Sequence, residues 1–242
     1  MLHDKDFEYY EKIAHWSFDE YDCHTESLTD WDLYEILKSV ALPDSHVLDL
    51  GTGGGEKLLA NCPDCAETVG TDYSPNMVAT ALENLAKSGR KNIMFRVMDN
   101  LHMDVPDGHF DVVVARHTCI DAEQIMRCLE PGGFLLIRGV DKYDCWDLKK
   151  TVGYGQGFDD PVPISIVDYE NVLSAGFRDV ELVPIHEREF YKDSTTFKAF
   201  LEVVPILDHM PEDEVIDGYI ARNTCSGRVR LIRRYYGITA RK

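Results

Sequence analysis

Val47-Leu48-Asp49-Leu50-Gly51-Thr52-Gly53-Gly54-Gly55 decides how the rest of the chain is read. Val47, Leu48 and Leu50 read as a buried parallel strand, because strands covered on both faces are apolar at nearly every position. Asp49 breaks that run with a carboxyl group. The glycines beyond it let the backbone take positive φ and approach a ligand more closely than any Cβ would allow. Glu56-Lys57-Leu58-Leu59-Ala60 then opens a helix whose unpaired N–H groups face back to the bend. Strand, glycine bend and helix in this order describe a nucleotide cradle.

The spacing of the glycines selects the kind of cradle. A dinucleotide fingerprint has G-x-G-x-x-G, with a pyrophosphate on the helix N-terminus. Counted from Gly51, the sixth position here is Glu56, and Asp49 adds a second carboxylate that repels phosphate and attracts a cation. The spacing is G-x-G-x-G. S-Adenosylmethionine (SAM) has no phosphate and carries a sulfonium and an ammonium. In Asp49, Gly51, Thr52, Gly53 and Gly55 the chain resembles the class I SAM-dependent methyltransferases, whose first motif is an apolar pair, an acid, an apolar residue and G-x-G-x-G. A nicotinamide oxidoreductase is the disfavoured alternative, and a glycine-rich turn without a ligand is the bland one.

An adenosine ribose is usually held by an acid about 20 residues past the first glycine, at the end of the next strand. Thr68-Val69-Gly70-Thr71-Asp72 supplies Asp72, followed by Tyr73. This acid supports adenosine without choosing between SAM and NAD. A competing role for Asp72 is to cap the helix that opens at Ser74-Pro75-Asn76, although Ser74 is itself a good N-cap and Pro75 suits the first helical position.

Ile93 to Met98 reads as the third strand and ends in Asp99-Asn100-Leu101, where the methyltransferase pattern implies that Asp99 and Asn100 receive the adenine amino group. Phe110 to Ala115 is a fourth, nearly all-apolar strand. Arg116 and His117 follow it at the carboxyl end, where ligands of open α/β sheets lie, with Arg116 a candidate for the cofactor. A helix containing Ile125, Met126 and Leu129 ends at Glu130-Pro131-Gly132-Gly133, and Phe134 to Ile137 is strand five. Val167 to Leu173 is the next helix, Val180 to Val183 begins strand six, and Leu231 to Lys242 holds the last strand. The resemblance covers about residues 31–242. It implies a Rossmann-like α/β sheet of seven strands in the order 3-2-1-4-5-7-6, strand seven antiparallel, with helices on both faces.

Trp31-Asp32, Gly51 to Glu56, Arg116-His117 and Val203-Val204-Pro205 are similar to a bacterial group of methyltransferases of unassigned acceptor. In that group a Glu commonly follows the Arg-His pair, whereas Thr118 stands here, so no acceptor chemistry is carried over.

With 242 residues, 44% of them hydrophobic, the chain can bury the core of one α/β domain with elaborations. No apolar run reaches the roughly 18 residues a membrane span needs. The acidic start, Met1 to Asp6, does not read as a signal peptide. Seven cysteines without framework spacing suit a reducing, cytoplasmic setting. Cys62-Pro63-Asp64-Cys65 is a lone C-x-x-C and reads as loop cysteines, and the nine histidines lack metal-binding spacing, so no metal is expected.

A net charge of −18 disfavours nucleic-acid substrates, since phosphate binding relies on Lys and Arg. Arg222, Arg228, Arg230, Arg233, Arg234, Arg241 and Lys242 form a basic exception. They pack either against the acidic Glu212-Asp213-Glu214 neighbourhood or against an anionic acceptor. Residues 1–30, with Phe7, Tyr9, Tyr10, Trp16, Phe18 and Tyr21, form a lid or an edge cover. Segments near 141–165 and 191–223 elaborate an acceptor pocket, and the loop Gly153 to Phe158 is flexible by composition. Tyr10 and Tyr154 are further pocket candidates on position alone.

The expected reaction is in-line methyl transfer to a small-molecule acceptor, a task of alignment and water exclusion. His117 is the best-placed general base near neutral pH, or else it orients a loop or touches the methionine moiety. A catalytically silent SAM-binding module is the non-enzymatic alternative. The acceptor atom and the oligomeric state are not written in the residues.

Overall fold

The computed structural model describes residues 21–242. Their elements are β1 (Cys23–Ser27), α1 (Leu33–Val40), β2 (His46–Leu50), α2 (Glu56–Asn61), β3 (Glu67–Asp72), α3 (Pro75–Ser88), β4 (Ile93–Val97) and β5 (Phe110–Arg116). There follow α4 (Ala122–Cys128), β6 (Leu129–Val140), α5 (Trp146–Val152), α6 (Ile164–Ser174), β7 (Arg178–Tyr191), α7 (Ser194–Val203), α8 (Asp213–Asn223), β8 (Thr224–Cys225) and β9 (Arg228–Arg241).

The strands form one sheet in the order β1-β7-β9-β6-β5-β2-β3-β4, with β8 paired to β9. From β4 to β6 all neighbours are parallel, and β9 is inserted antiparallel between β6 and β7. Without β1 and β8 this is the expected order 3-2-1-4-5-7-6. The count is nine rather than seven. β1 is an added edge strand, Cys23 opposite Tyr191 through Ser27 opposite Glu187, and four of its five residues are exposed. Such an edge strand has no buried face to imprint an apolar alternation on the sequence. Phe7, Tyr9, Tyr10, Trp16 and Phe18 lie outside the described residues.

Central strands are buried on both faces: Val47, Leu48 and Leu50 of β2 and Val112, Val113 and Val114 of β5 have no exposed surface. Leu48, Leu50, Val113, Leu135 and Ile238 point to one core with α4 and α6, while Val47, Val112, Val114 and Leu136 point to another with Leu33 and Leu37 of α1. Local signals set the helix ends. Asp32 caps α1 by accepting from Tyr34 N and Glu35 N, and Ser74 caps α3 by accepting from Met77 N ahead of Pro75.

Two boundaries differ from the sequence reading. Leu129 is not helical; α4 stops at Cys128, and β6 already begins at Leu129, pairing with Phe110 and running through Pro131-Gly132-Gly133. Gly153 to Phe158 is tied down rather than loose. Gln156 N donates to Ile206 O at 3.0 Å, Lys149 Nζ donates to Gln156 O at 2.6 Å, and a Cβ on Gly155 would meet Ile206 O at 2.7 Å.

β7 and β9 are twice as long as β5, and their ends project past the carboxyl edge of the sheet. There Tyr191, Val229 and Leu231 join Leu148 of α5, Phe197 and Phe200 of α7 and Ile216 and Tyr219 of α8 in a third core, which forms a cap over that edge.

Candidate functional site

The glycine bend leaves the carboxyl end of β2 with Gly51, Gly53 and Gly55 all at positive φ, between +58° and +77°. The three have different neighbours. A Cβ on Gly51 would stand 2.5 Å from Thr118 Cβ, so the loop after β5 lies directly on the bend. A Cβ on Gly55 would stand 2.8 Å from Phe95 Cζ, a packing constraint inside the second core. Among the described residues, nothing lies within 4 Å of a Cβ on Gly53. Its N–H donates to Asp72 Oδ2 at 2.9 Å, and Thr52 N donates to Thr71 O at 2.8 Å, which fixes the bend to the end of β3.

Asp72 also accepts from Ser74 N through Oδ1 at 2.9 Å. A carboxylate has about four acceptor sites, so bonds to backbone N–H groups do not by themselves exclude a ligand. Bracing of the helix start and ligand binding are therefore compatible at Asp72. Tyr73 beside it is half exposed. Asp49 is buried under the bend, and burial pushes its carboxyl up to about 7, against the pull of the Arg116 guanidinium. No hydrogen bond or ion pair among the described residues holds that guanidinium, which lies within electrostatic reach of Asp49 and Tyr34.

Glu56 occupies the start of α2, the place a pyrophosphate would take. Its carboxylate folds over Gly54, 2.5 Å from where a Cβ would stand, and accepts from Asn84 Nδ2 at 3.0 Å. Asn100 is buried; its Nδ2 donates to Thr118 Oγ1 at 2.9 Å while its Oδ1 has no partner among the described residues. Asp99 accepts from Leu101 N at 2.9 Å and contacts His102 Nδ1 at 2.9 Å.

His117 has a positive φ of 53°, costly for a residue with a Cβ and common where a side chain is held for function. Its ring stacks on Tyr235 of β9 at 5.3 Å with planes 11° apart, and its Nε2 is buried without a partner among the described residues. Burial, then the nearby Arg116, Arg138 and Arg233, hold the imidazole well below its ordinary pKa. It is neutral at pH 7. Arg138 lies over the other side of this cluster, 4.6 Å from the Tyr235 ring centre, and pairs with Glu187 at 2.8 Å.

Residues 47–133 match the sequence model of the methyltransferase domain family. The fold around them agrees: a structure solved as a candidate methyltransferase from Bacillus halodurans C-125 superposes with a TM-score of 0.60 at 18% identity, covering 87% of this chain and 98% of that one. Residues 47–133 carry the sequence signature of a methyltransferase domain. In sequence it is 30% identical over 110 residues to an arsenite methyltransferase of Halobacterium salinarum, covering 40% of this chain and 28% of that protein. The match covers less than half the length of this and the other leading curated relatives. The [4+2]-cyclase SpnF has the same fold, with a TM-score of 0.55 at 20% identity over 87% of this chain and 79% of that one.

Several residues near the bend were not visible as site residues in the sequence. Arg138 sits opposite Arg116 in the β5–β6 register, and Tyr34 faces both from α1. A charged residue closing an otherwise apolar strand was the available signal. Tyr154 stacks on His209 at 4.2 Å, within the cap. Of the basic stretch Arg233 is buried while Arg222, Arg234 and Arg241 are exposed, and no ion pair among the described residues joins it to Glu212-Asp213-Glu214. Arg233 is buried against Asp144 and Glu189, Arg228 pairs with Asp22, and Lys198 takes Asp213. Cys62 and Cys65 are buried free thiols on the amino side of the sheet, and burial pushes Cys62 up to about 12. A cavity of about 380 Å³ between α5 and α8, lined by Asp147, Lys150, Tyr219 and Arg222, lies in the cap and away from the glycine bend.

Proposed function

We propose that this chain is a SAM-dependent methyltransferase acting on a small-molecule acceptor. The observation that carries the reading is Gly53: its N–H is fixed by Asp72 while no described residue fills the space above it. The residues present fit SAM. Asp72 at the end of β3 is the acid beside the bend for ribose hydroxyls, the buried Asn100 Oδ1 wants a donor such as an amino group, and Asp49 offers an acid to a cationic amino-acid moiety. Gly51, Thr52, Gly53 and Gly55 shape the bend, Tyr73 and Asp99 border it, and Arg116 would supply a cation to the carboxylate of the same moiety. Glu56 over Gly54 argues against a dinucleotide, whose diphosphate would meet a carboxylate at the helix start.

When bound, SAM supplies a methyl group already activated by its sulfonium. The chain's own task is to align the acceptor and exclude water. His117 serves as the base at Nε2 when the acceptor nucleophile carries a proton. Its neutral state at pH 7 and an Nε2 without a partner among the described residues support that role, and its stacking on Tyr235 holds the ring in place. The acceptor lies between His117 and the cap, with residues 31–242 forming one domain and 141–165 and 191–223 shaping the pocket. A net charge of −18 favours a small molecule over nucleic acid. No described helix is long and apolar enough to cross a membrane, and a cytoplasmic setting follows from cysteine usage.

Calorimetry with SAM, S-adenosylhomocysteine and NADH tests the cofactor, and SAM turnover across a metabolite panel tests catalysis. Heat with the first two and S-adenosylhomocysteine formation are expected. Uptake of NADH alone overturns the reading, and tight SAM binding without product from any acceptor favours a silent SAM-binding module. Thr118 in place of an acid is the feature that keeps this second reading open.

A further inference from the structure

The sheet has a second chemically loaded edge, opposite the glycine bend. His46 opens β2, Glu67 opens β3 and is its direct cross-strand partner, and His109 and Asp111 lie at the start of β5. Val47 pairs with Val112, so Asp111 stands beside His46 in the same register. His109 stands just ahead of β5, whose register against β6 shifts between Phe110 and Val112, and its ring lies 4.7 Å from that of His46. Three adjacent strands thus deliver two imidazoles and two carboxylates to one patch of surface.

The distances suit a cation. One ligand atom from each of His46, Glu67 and His109 lies within 4.8 Å of the others. His109 Nε2 is 2.7 Å from Glu67 Oε2, His46 Nδ1 is 3.7 Å from Asp111 Oδ2, and the two rings are tilted at 4.7 Å. Zinc takes nitrogen and oxygen ligands at about 2.0–2.2 Å, which places tetrahedral donors about 3.4 Å apart. The observed separations bracket that value, so small side-chain rotations suffice.

The backbone around the cluster is already fixed. Asp111 Oδ2 accepts from His46 N at 2.8 Å, and His109 N donates to Cys128 O at 2.8 Å. Among the described residues, the ion pairs of Glu67 and Asp111 are with these two histidines and with no Lys or Arg. A simple surface ion pair would need one histidine; two, gathered against two carboxylates, make a chelating set. All four side chains are between 30% and 43% exposed, which leaves an entry path and room for water ligands.

We propose that His46, Glu67 and His109, with Asp111 as fourth ligand or as the acceptor that orients His46, bind a divalent transition metal ion such as zinc. The nitrogen and oxygen donor set selects zinc or its first-row neighbours over calcium or magnesium. The ion would tie together the amino ends of β2, β3 and β5 and serve a structural purpose, away from the cofactor rim. The nine histidines showed no metal spacing because His46 and His109 are brought together only by parallel strand pairing.

Titration of the metal-free full chain with Zn²⁺ by calorimetry, and with Co²⁺ by visible absorption, tests this. One equivalent is expected to bind, and Co²⁺ should give ligand-field bands without a thiolate charge-transfer band. His109→Ala and Glu67→Gln should weaken binding about tenfold or more while circular dichroism stays unchanged. Zn²⁺ should raise the melting temperature of the parent chain and not of either variant. Absence of binding, a thiolate band pointing to Cys62 and Cys65, or binding indifferent to both variants overturns the proposal. None of these readouts depends on methyl transfer.

Discussion

Gly53 and Gly55 share a left-handed backbone but answer to different neighbours, and substitution separates ligand shape from packing. Gly53→Ala is expected to cost only the strain of a Cβ at positive φ, about 1–2 kcal/mol, and to weaken SAM binding at least tenfold by calorimetry, because the added methyl enters space over the bend that no described residue fills. Gly55→Ala should instead lower stability in urea unfolding by about 1–3 kcal/mol through its clash with Phe95. Asp49, raised to about 7, adds a pH signature. Below that value it is neutral and loses its attraction for the cationic amino-acid moiety. The SAM dissociation constant should therefore rise by up to about tenfold per pH unit from pH 7 to 5, and Asp49→Asn should flatten the profile. His117 acts on stability. Folding depresses its pKa, so below about pH 6.5 the unfolded chain binds a proton that the folded chain refuses. Its contribution is constant above that range and declines on acidification, at most by about 1.4 kcal/mol per pH unit. His117→Phe should remove that part of the acid sensitivity in urea titrations at pH 5 and 7. At this scale the bend, Asp49 and Asp72 were legible because their chemistry is local in sequence. The neighbours that distinguish Gly51, Gly53 and Gly55 come from Thr118 and Phe95, distant along the chain, and could not be read from spacing.

Elements whose signals are local were read closely, and those set by pairing were not. Ser74-Pro75 announced α3, and the apolar runs announced β2 and β5, since burial on both faces leaves few polar positions. β1 escaped because its residues are largely exposed, and the early start of β6 because Pro131-Gly132-Gly133 looks like a turn. Composition also misled at Gly153 to Phe158, where glycines permit close packing against Ile206 rather than motion. A tighter element contact is Trp31 on β9: a Cβ on Gly237 would stand 2.5 Å from Trp31 Cε2. Gly237→Ala should cost about 1–3 kcal/mol in urea unfolding. In a Trp31→Ala background much of that cost should disappear, and the double-mutant cycle gives the coupling directly.

For the molecule as a whole, the three cores predict an uneven map of stability. The two cores on the faces of the sheet share the central strands, whereas the third is built from α5, α7, α8 and the projecting ends of β7 and β9. Hydrogen exchange should find the amides of α7 and α8 opening at lower free energy than those of β2 and β5, as expected of a smaller cooperative unit. Equal protection in both would count against a separable cap. The order of the sheet was legible through the resemblance, whereas the cap was legible only as two elaborations near 141–165 and 191–223, without the core that joins them. Its position has an engineering consequence. The glycine bend and the cap draw on different side chains while bordering the same edge, so the helices of the cap form a graftable cassette: exchanging them should retune which molecule is received and leave the nucleotide half untouched.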